Sequence, residues 1–243
     1  MRFVLLTLIT ACSFQANGVQ DASVNTDAQA RDARALDGGG GVVDAAPDAA
    51  TTPACRLRPN GPGRTGGKVG GNGGGTNVNM PCPAGTFPVG LIFEISNGNT
   101  SNGGRSAYSM TELCAPLTLQ SGNLQVGPVQ NVMASGNGTF MWTPATASGP
   151  TMCPTNTVLV GLKGHTGSSN ILLANFSLKC RGISGPSTFG AEQLVAVANT
   201  TNLADGADEV SCNDNEMMAR ATARVGAGID SVTLDCVQLE CAP

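Results

Sequence analysis

The sequence predicts an all-β domain built from three repeats and stapled by disulfides. Three observations predict it: a Cys-flanked segment recurs three times, the cysteines beyond residue 50 are even in number, and apolar and polar residues alternate with period two before the second cysteine of the repeats. The most helix-like window, residues 204–219, contains Gly206, Asn213 and Asn215, which disfavour a helix.

Composition restricts the class of protein before any motif is considered. The chain has 243 residues, of which 41% are hydrophobic and 12% charged, with a net charge of −4 and 1 His. Because a nucleic-acid interface is normally basic, we expect no nucleic-acid partner. A single His excludes a catalytic zinc site made of two or three histidines. The pattern indicates no metal and no cofactor, and it specifies no oligomeric state.

Residues 1–12 have the organisation of an export signal. Met1-Arg2 supplies a positive start, an apolar run covers residues 3–9, and small residues precede Cys12. At about 1.5 Å per residue, this run is far too short to span a bilayer as a helix. The segment therefore predicts export rather than a transmembrane anchor.

The end of this segment resembles a lipobox. Leu8-Ile9-Thr10-Ala11-Cys12 is similar to the processing site of bacterial lipoproteins, in which the cysteine becomes the new N-terminus and carries lipid. The resemblance implies lipidation of Cys12 and a stable membrane anchor, because several acyl chains hold a protein firmly. Ser13 stands where Asp marks inner-membrane retention in some bacteria, which implies the outer membrane of the cell envelope. The alternative is ordinary secretion, although no A-x-A cleavage site follows before Asn17.

Residues 13–54 have the composition of a flexible tether. They consist largely of Ala, Asp, Gly, Thr and Pro, and no aromatic residue lies between Phe14 and Phe87. Such a segment buries too little apolar surface to offset the entropy lost on ordering it. We therefore expect a disordered stalk here and a folded domain over residues 55–243.

Three segments that begin with a cysteine carry the repeat. The segments from Cys82 and Cys153 both start with Cys-Pro and reach Val-Gly-Leu seven residues after the cysteine. The segment from Cys212 keeps the apolar residues and lacks the glycine. The period is about sixty residues, and we place the copies at about 66–120, 121–184 and 185–241.

The repeat narrows the cysteine pairing, which the cysteine count alone leaves open. Pairing the two cysteines within each copy leaves one cysteine near each end of the domain. The expected disulfides are Cys82–Cys114, Cys153–Cys180, Cys212–Cys236 and Cys55–Cys241. In an exported chain without a CxxC pair, these cysteines are staples rather than metal ligands or nucleophiles.

Alternation before the second cysteine predicts strands. Phe176, Leu178 and Cys180 alternate with polar residues, and the run from Val232 to Cys236 repeats the pattern. In the first copy, Met110-Thr-Glu-Leu-Cys114, the alternation is slipped by one residue. Short β-branched runs separated by Gly- and Asn-rich turns extend the all-β prediction to the rest of the domain.

The domain resembles two families of β-proteins. The glycine-rich run 66–75, the repeated Cys-Pro…Gly-Leu start and the ending Gly228-Ile-Asp-Ser-Val-Thr-Leu-Asp-Cys236 are similar to vitelline membrane outer layer protein I and, more distantly, to jacalin-type lectins. Both families are β-prisms, in which three four-stranded sheets pack around a pseudo-three-fold axis. The resemblance covers residues 55–243 and implies a three-repeat β-prism. A β-trefoil or another three-fold β architecture is the alternative.

The resemblance to jacalin-type lectins implies a sugar site at strand-end loops. Gly226 and Asp230 match the spacing of the G-x-x-x-D element of that family, and the run 66–75 supplies backbone that a ligand can approach closely. Trp142 is a candidate for stacking on a sugar ring. The alternatives are a β-turn whose Asp bonds its own backbone, and a Trp that packs into the core.

Candidate catalytic groups are few, so we expect a binding protein rather than an enzyme. His165 lies in a Gly-His-Thr-Gly segment typical of a turn. Glu94 and Glu112 are a candidate pair of carboxylates, although exposed strand faces commonly carry such residues. The acidic residues between 205 and 216 miss the spacing of an EF-hand and are typical of a solvated loop.

The sequence thus predicts an exported, lipid-anchored protein of the bacterial cell envelope that displays a β-domain for binding, with glycans as the favoured ligand. One alternative is a structural envelope protein without a small ligand. The other is a carbohydrate-active enzyme.

Overall fold

The computed structural model describes residues 54–73, 75–96, 106–135, 146–166, 172–198, 207–226 and 228–242. All of them belong to one unit, Ala49–Pro243. Cys12, the predicted signal, almost all of the predicted tether and Trp142 lie outside the described residues. Within the described ranges, no helix is long and apolar enough to cross a membrane.

The regular structure consists of strands. They are β1 (Cys55–Gly70), β2 (Thr76–Pro81), β3 (Phe87–Ser96), β4 (Ser106–Ala115), β5 (Leu117–Gln120), β6 (Asn123–Val126), β7 (Gln130–Ser135), β8 (Thr146–Ala147), β9 (Thr151–Met152), β10 (Thr157–Thr166), β11 (Leu172–Gly185), β12 (Thr188–Ala198), β13 (Ala207–Ser211), β14 (Met217–Val225) and β15 (Ile229–Ala242). The all-β prediction is confirmed.

The strands form three antiparallel sheets, each built on a central hairpin. The first hairpin, β3–β4, is flanked by β7 on one side and by β8 and β9 on the other. The second hairpin, β10–β11, is flanked by β12 and β13. The third hairpin, β14–β15, is flanked by β1 and β2. In each case both strands of the hairpin are flanked by further strands, which is the three-sheet arrangement of a β-prism.

Two links complete the architecture. A single residue pair, Leu173 with Ser106, joins the second sheet to the first. A short hairpin, β5–β6, extends the third sheet beyond β1. The third sheet thus contains strands from both ends of the domain. The first and last cysteines of the domain lie on these strands and therefore meet.

The sheets are offset from the repeat boundaries that the sequence suggests. Strand β7 falls in the second copy, 121–184, but it pairs with β4 of the first sheet. The sequence signal resides in the Cys-flanked hairpins, whereas the short flanking strands have no shared pattern. The hairpins therefore mark the repeat and the flanking strands do not.

The four disulfides join the cysteine pairs that the repeat predicts. They are Cys82–Cys114, Cys153–Cys180, Cys212–Cys236 and Cys55–Cys241. Each of the first three links the segment just before a hairpin to the second strand of that hairpin, and the fourth joins β1 to β15. In the chain-entropy model, each of the first three disulfides, which close short loops, contributes about 3–4 kcal/mol of stability.

Each hairpin carries a β-bulge at the same place. The register shifts between Pro88 and Gly90, between Leu159 and Gly161, and between Met218 and Arg220. A Cβ at Gly90 or Gly161 would overlap the backbone of the flanking strand, β9 or β13, so a larger residue fits only if that strand shifts. The third hairpin instead holds Arg220 at this position, and its guanidinium bonds to Asp235.

The core lies between the sheets and consists of two clusters that contain equivalent residues from all three hairpins. One cluster includes Phe87, Val158 and Met217. The other includes Leu91, Leu162, Ala221, Leu178 and Leu234. In the second cluster, the rings of Phe93 and Phe176 stack with centroids 4.0 Å apart, which ties the first sheet to the second.

Candidate functional site

A buried aspartate stands where the third hairpin begins its second strand. Ile229 pairs with Val225 and Ser231 pairs with Arg224, so Asp230 between them has no cross-strand partner. This is a β-bulge, which redirects a side chain away from the ordinary alternation of the strand. Asp230 is 4% exposed.

Glycines enclose this aspartate. The N–H of Gly71 donates to the Asp230 carbonyl at 3.0 Å. A Cβ at Gly73 would overlap the carboxylate, and a Cβ at Gly226 would lie 3.1 Å from its Oδ2. Gly70, at a φ of +104°, would place a Cβ against the Asp230 carbonyl. The backbone of the β1–β2 loop reaches the carboxylate only because these positions lack side chains.

The loop is held by few side chains. The N–H of Gly70 donates to Oδ2 of Asp208 at 3.2 Å, which ties the loop to β13. The Lys68 ammonium donates to the Gly71 carbonyl at 3.4 Å and to the side chain of Asn72. Between β14 and β15, the N–H of Gly226 donates to the Gly228 carbonyl at 2.9 Å.

The site contains an unpartnered acceptor beside an unpartnered donor. Burial raises the pKa of Asp230, and the Gly75 N–H and the charge of Arg224 offset part of that rise. Within the described part of the chain, Oδ2 of Asp230 and Nε of Arg224 are both buried and have no hydrogen-bond partner. A hydroxyl group both donates and accepts, so it is the kind of group that pairs with either of these atoms.

The structure brings together two of the three ligand residues suggested by the sequence. Gly226 and Asp230 lie side by side, while Trp142 falls outside the described residues. Only the later part of the run 66–75 reaches the site. Gly66 instead packs against the sulfur of Cys236, and Gly67 packs against Val210. The Asp230 carboxylate is bonded by Gly75 of the β1–β2 loop, which the β-turn alternative did not include.

Tyr108 is a residue near this site that sequence reasoning missed. It is half-buried, and a Cβ at Gly228 would lie 3.9 Å from its Cα. Tyr108 precedes Cys114 by six residues, as Asp230 precedes Cys236, and both occupy bulges. The repeat was the signal that would have singled out this position.

The two candidate catalytic glutamates do not form a pair. Glu94 lies opposite Ser109, whose hydroxyl donates to it at 2.6 Å. Glu112 lies opposite Leu91 and faces the core. The expectation that Glu112 sits on an exposed strand face is wrong, because its side chain is fully buried. The alternation in Met110–Cys114 is therefore not slipped: a glutamate fills the core position.

The other polar candidates have structural contacts. His165 lies within β10 rather than in a turn. Glu209 lies on β13, and hydrogen bonding by Lys179 lowers its pKa. Burial acts to raise the pKa of Glu216, but bonds from Arg64 and from the Asn213 N–H outweigh it, so the pKa is lowered. The expectation of a solvated acidic loop is wrong for Glu209 and Glu216, which hold strands and turns together.

Among known proteins, the chain is similar in structure to solved lectins. No family model matches the chain, and no curated protein matches it. A structure of Calsepa lectin in complex with biantennary N-glycan aligns with a TM-score of 0.47 and 12% identity, covering 74% of this chain and 99% of that one. Malaysian banana lectin aligns with a TM-score of 0.41 and 14% identity, covering 73% and 99%. Single-chain recombinant jacalin aligns with 0.39 and 15%, covering 73% and 97%. With scores of this size, the fold described above rests on the strand pairing.

Proposed function

We propose that the domain binds glycans at Asp230 and that the chain displays it on the cell envelope through a lipid anchor. The observation that carries the binding proposal is the pair of buried, unpartnered polar atoms, Oδ2 of Asp230 and Nε of Arg224. Buried polar groups are normally hydrogen-bonded, so a ligand that supplies a hydroxyl between them relieves the cost of both.

The charges of the site favour a sugar over a charged ligand. A carboxylate and a guanidinium lie together, so neither an anion nor a cation gains from both groups, whereas neutral hydroxyls form charge-assisted hydrogen bonds with each. The glycines at 73 and 226 keep side chains away from the carboxylate. Because the β1–β2 loop covers the carboxylate, a ligand reaches Asp230 only by displacing this loop, which Lys68 holds through the Gly71 carbonyl.

A glycan array tests this function. The intact chain is expected to bind a defined subset of glycans, and Asp230→Asn is expected to lose at least tenfold in affinity because the charged acceptor is gone. Asp214→Asn is the matched control, since its fully exposed carboxylate pairs only with Arg181 in the described part of the chain and lies on another turn. Equal binding by Asp230→Asn and the wild type would refute the site.

A structural envelope role without a small ligand is the second candidate. It is favoured by the near-complete burial of Asp230 and by the four disulfides. Absence of binding across a broad array, with the disulfides verified as intact, would favour this role over glycan binding.

The anchor is a proposal that rests on the sequence. The lipobox-like residues 8–12 and the tether composition of residues 13–54 support export, lipidation at Cys12 and display on the outer membrane. Labelled palmitate is expected to enter the wild-type chain and not Cys12→Ser, which is also expected to leave the membrane fraction. Labelling that persists in Cys12→Ser would contradict the anchor.

A further inference from the structure

Glu112 is an anomaly in the core of the domain. Its side chain is fully buried, and within the described residues neither carboxyl oxygen makes a hydrogen bond of normal geometry, although the backbone of Ala221 lies close enough to interact with it. Its cross-strand neighbours are Leu91 and Val132. Burial raises the pKa of Glu112 well above the usual range, and the Ala221 backbone opposes this only in part. The carboxyl therefore keeps its proton to a higher pH than an exposed glutamate does.

The carboxyl lies beside one disulfide. A carboxyl oxygen of Glu112 and the sulfurs of Cys82 and Cys114 all lie within 4.8 Å of one another. Cys114 is fully buried, whereas Cys82 is half-buried and stands at the edge of the hairpin. An external thiol thus approaches the sulfur of Cys82, and the leaving sulfur is that of Cys114.

The other hairpins lack this arrangement. The residue two positions before the second cysteine is Glu112 in the first hairpin, Leu178 in the second and Leu234 in the third. The disulfide Cys153–Cys180 is a close match in exposure, since Cys153 is half-buried and Cys180 fully buried. The first and second disulfides therefore differ chiefly in having a carboxyl or an isobutyl group beside the sulfurs.

We propose that Cys82–Cys114 is a thiol–disulfide exchange site, in which Glu112 gives its proton to the departing sulfur of Cys114. A thiolate left in an apolar core is costly, and this cost slows reduction of a buried disulfide. A neutral carboxyl within reach lowers this cost, because a carboxylic acid is a stronger acid than a thiol and protonates the thiolate as the sulfur–sulfur bond breaks.

The exchange partner is a dithiol, and the step balances. One thiolate of the dithiol attacks the sulfur of Cys82, the Cys82–Cys114 bond breaks, and the sulfur of Cys114 leaves and takes the proton of Glu112. The second thiol of the dithiol then attacks the mixed disulfide and releases Cys82. Two electrons pass to the protein, the dithiol becomes a cyclic disulfide, and the two protons of its thiols replace the proton of Glu112 and protonate Cys82.

Disulfide-resolved reduction kinetics test the proposal. The intact wild-type chain is treated with dithiothreitol under native conditions, quenched with an alkylating agent at set times, and mapped by peptide mass spectrometry. We expect Cys82–Cys114 to be reduced at least about tenfold faster than Cys153–Cys180, because general acid catalysis gives factors of that order or more. The ratio of the two rates within one molecule is the readout.

Two variants complete the test. Glu112→Gln keeps the shape but has no acidic proton, and Glu112→Leu gives the first hairpin the residue of the second. Both are expected to bring the ratio of the two rates near one. A gain in global stability, as expected for Glu112→Leu, slows both reductions alike and leaves their ratio unchanged, so a variant that keeps the wild-type ratio would overturn the proposal. A wild-type ratio near one would also overturn it.

Discussion

The first and third hairpins each bury one acid, and the second hairpin has apolar residues at both positions. Glu112 of the first hairpin corresponds to Leu178 of the second, and Asp230 of the third corresponds to Ala174. Asp230 lies on a bulge among glycine backbone groups and near Arg224. Glu112 lies among apolar side chains, and within the described residues the Ala221 backbone is the one group that lowers its pKa.

The difference teaches that burial alone does not define the role of an acid. Where backbone N–H groups and a cation share the burial, the carboxylate stays available as an acceptor for a ligand. Where only apolar groups surround it, the carboxyl keeps its proton and weakens the fold. The second hairpin is the reference for both acids, because it has the equivalent strands with apolar residues at the two positions.

The largest expected effect on stability concerns the β-bulge that the hairpins share. Gly161→Ala is expected to lower the free energy of unfolding by about 3 kcal/mol, because its Cβ would collide with the Val210 carbonyl of β13. Gly182→Ala in the same sheet is the control, since its Cβ would meet only the Asn156 carbonyl at 4.0 Å. Denaturant unfolding with the disulfides intact measures both. Equal stability of the two variants would contradict the close approach of β13.

Glu112→Leu makes the first hairpin like the second and is expected to stabilise the domain. Replacing a buried polar group that lacks partners with an apolar side chain of similar size gains about 1–3 kcal/mol. Glu240→Leu is the control for replacing a strand glutamate by leucine, because Glu240 is partly exposed and pairs with Arg58. The expected order of melting temperatures is Glu112→Leu above wild type and Glu240→Leu close to it. A lower value for Glu112→Leu would show that the carboxyl supports the core.

The difference in stability between the wild type and Glu112→Leu is also expected to depend on pH. The folded-state pKa of Glu112 is raised above the unfolded value of about 4.3, so the folded state binds more protons in the window between the two. The wild type is expected to lose stability relative to Glu112→Leu as pH rises from about 4, by up to about 1.4 kcal/mol per pH unit, until Glu112 ionises in the folded state. Denaturant unfolding at a series of pH values measures the difference. A constant difference over that range would contradict the raised pKa.

The hairpins and the disulfides could be predicted because their sequence pattern is repeated. The spacing of Cys82 to Val89 and Gly90 recurs from Cys153, and the alternation before Cys180 recurs before Cys236, so strands, hairpins and disulfides were all predictable. The flanking strands were not, because strands as short as β8 and β9 have no periodicity to detect.

The candidate site was predictable only in part. The spacing from Gly226 to Asp230 identified one wall, but the burial of Asp230 depends on how the β1–β2 loop folds over it, and glycine-rich sequence does not specify a path. The burial of Glu112 was not predictable from its own strand, because a charged residue in an alternating strand normally faces solvent. Only the equivalence of the three hairpins could have placed it in the core.

The smallest expected effect on stability concerns the turns that precede the hairpins. In the first, the Thr86 hydroxyl donates to the Pro83 carbonyl at 2.7 Å, whereas in the third the Glu216 carboxylate accepts from the Asn213 N–H at 3.1 Å and pairs with Arg64. Thr86→Ala is expected to cost about 0.5–1 kcal/mol at any pH.

Glu216→Ala is expected to cost about 1–2 kcal/mol at neutral pH, since it removes a hydrogen bond to a charged group and leaves Arg64 without this partner. The pKa of Glu216 is lowered in the folded state, so its contribution is present above about 4.3 and is lost as pH falls through the folded value. The wild type is therefore expected to approach the stability of Glu216→Ala in acid, while its difference from Thr86→Ala stays the same. Denaturant unfolding at neutral and acidic pH distinguishes the two turns, and a Glu216 effect that does not diminish in acid would show that its packing, rather than its charge, holds the third turn.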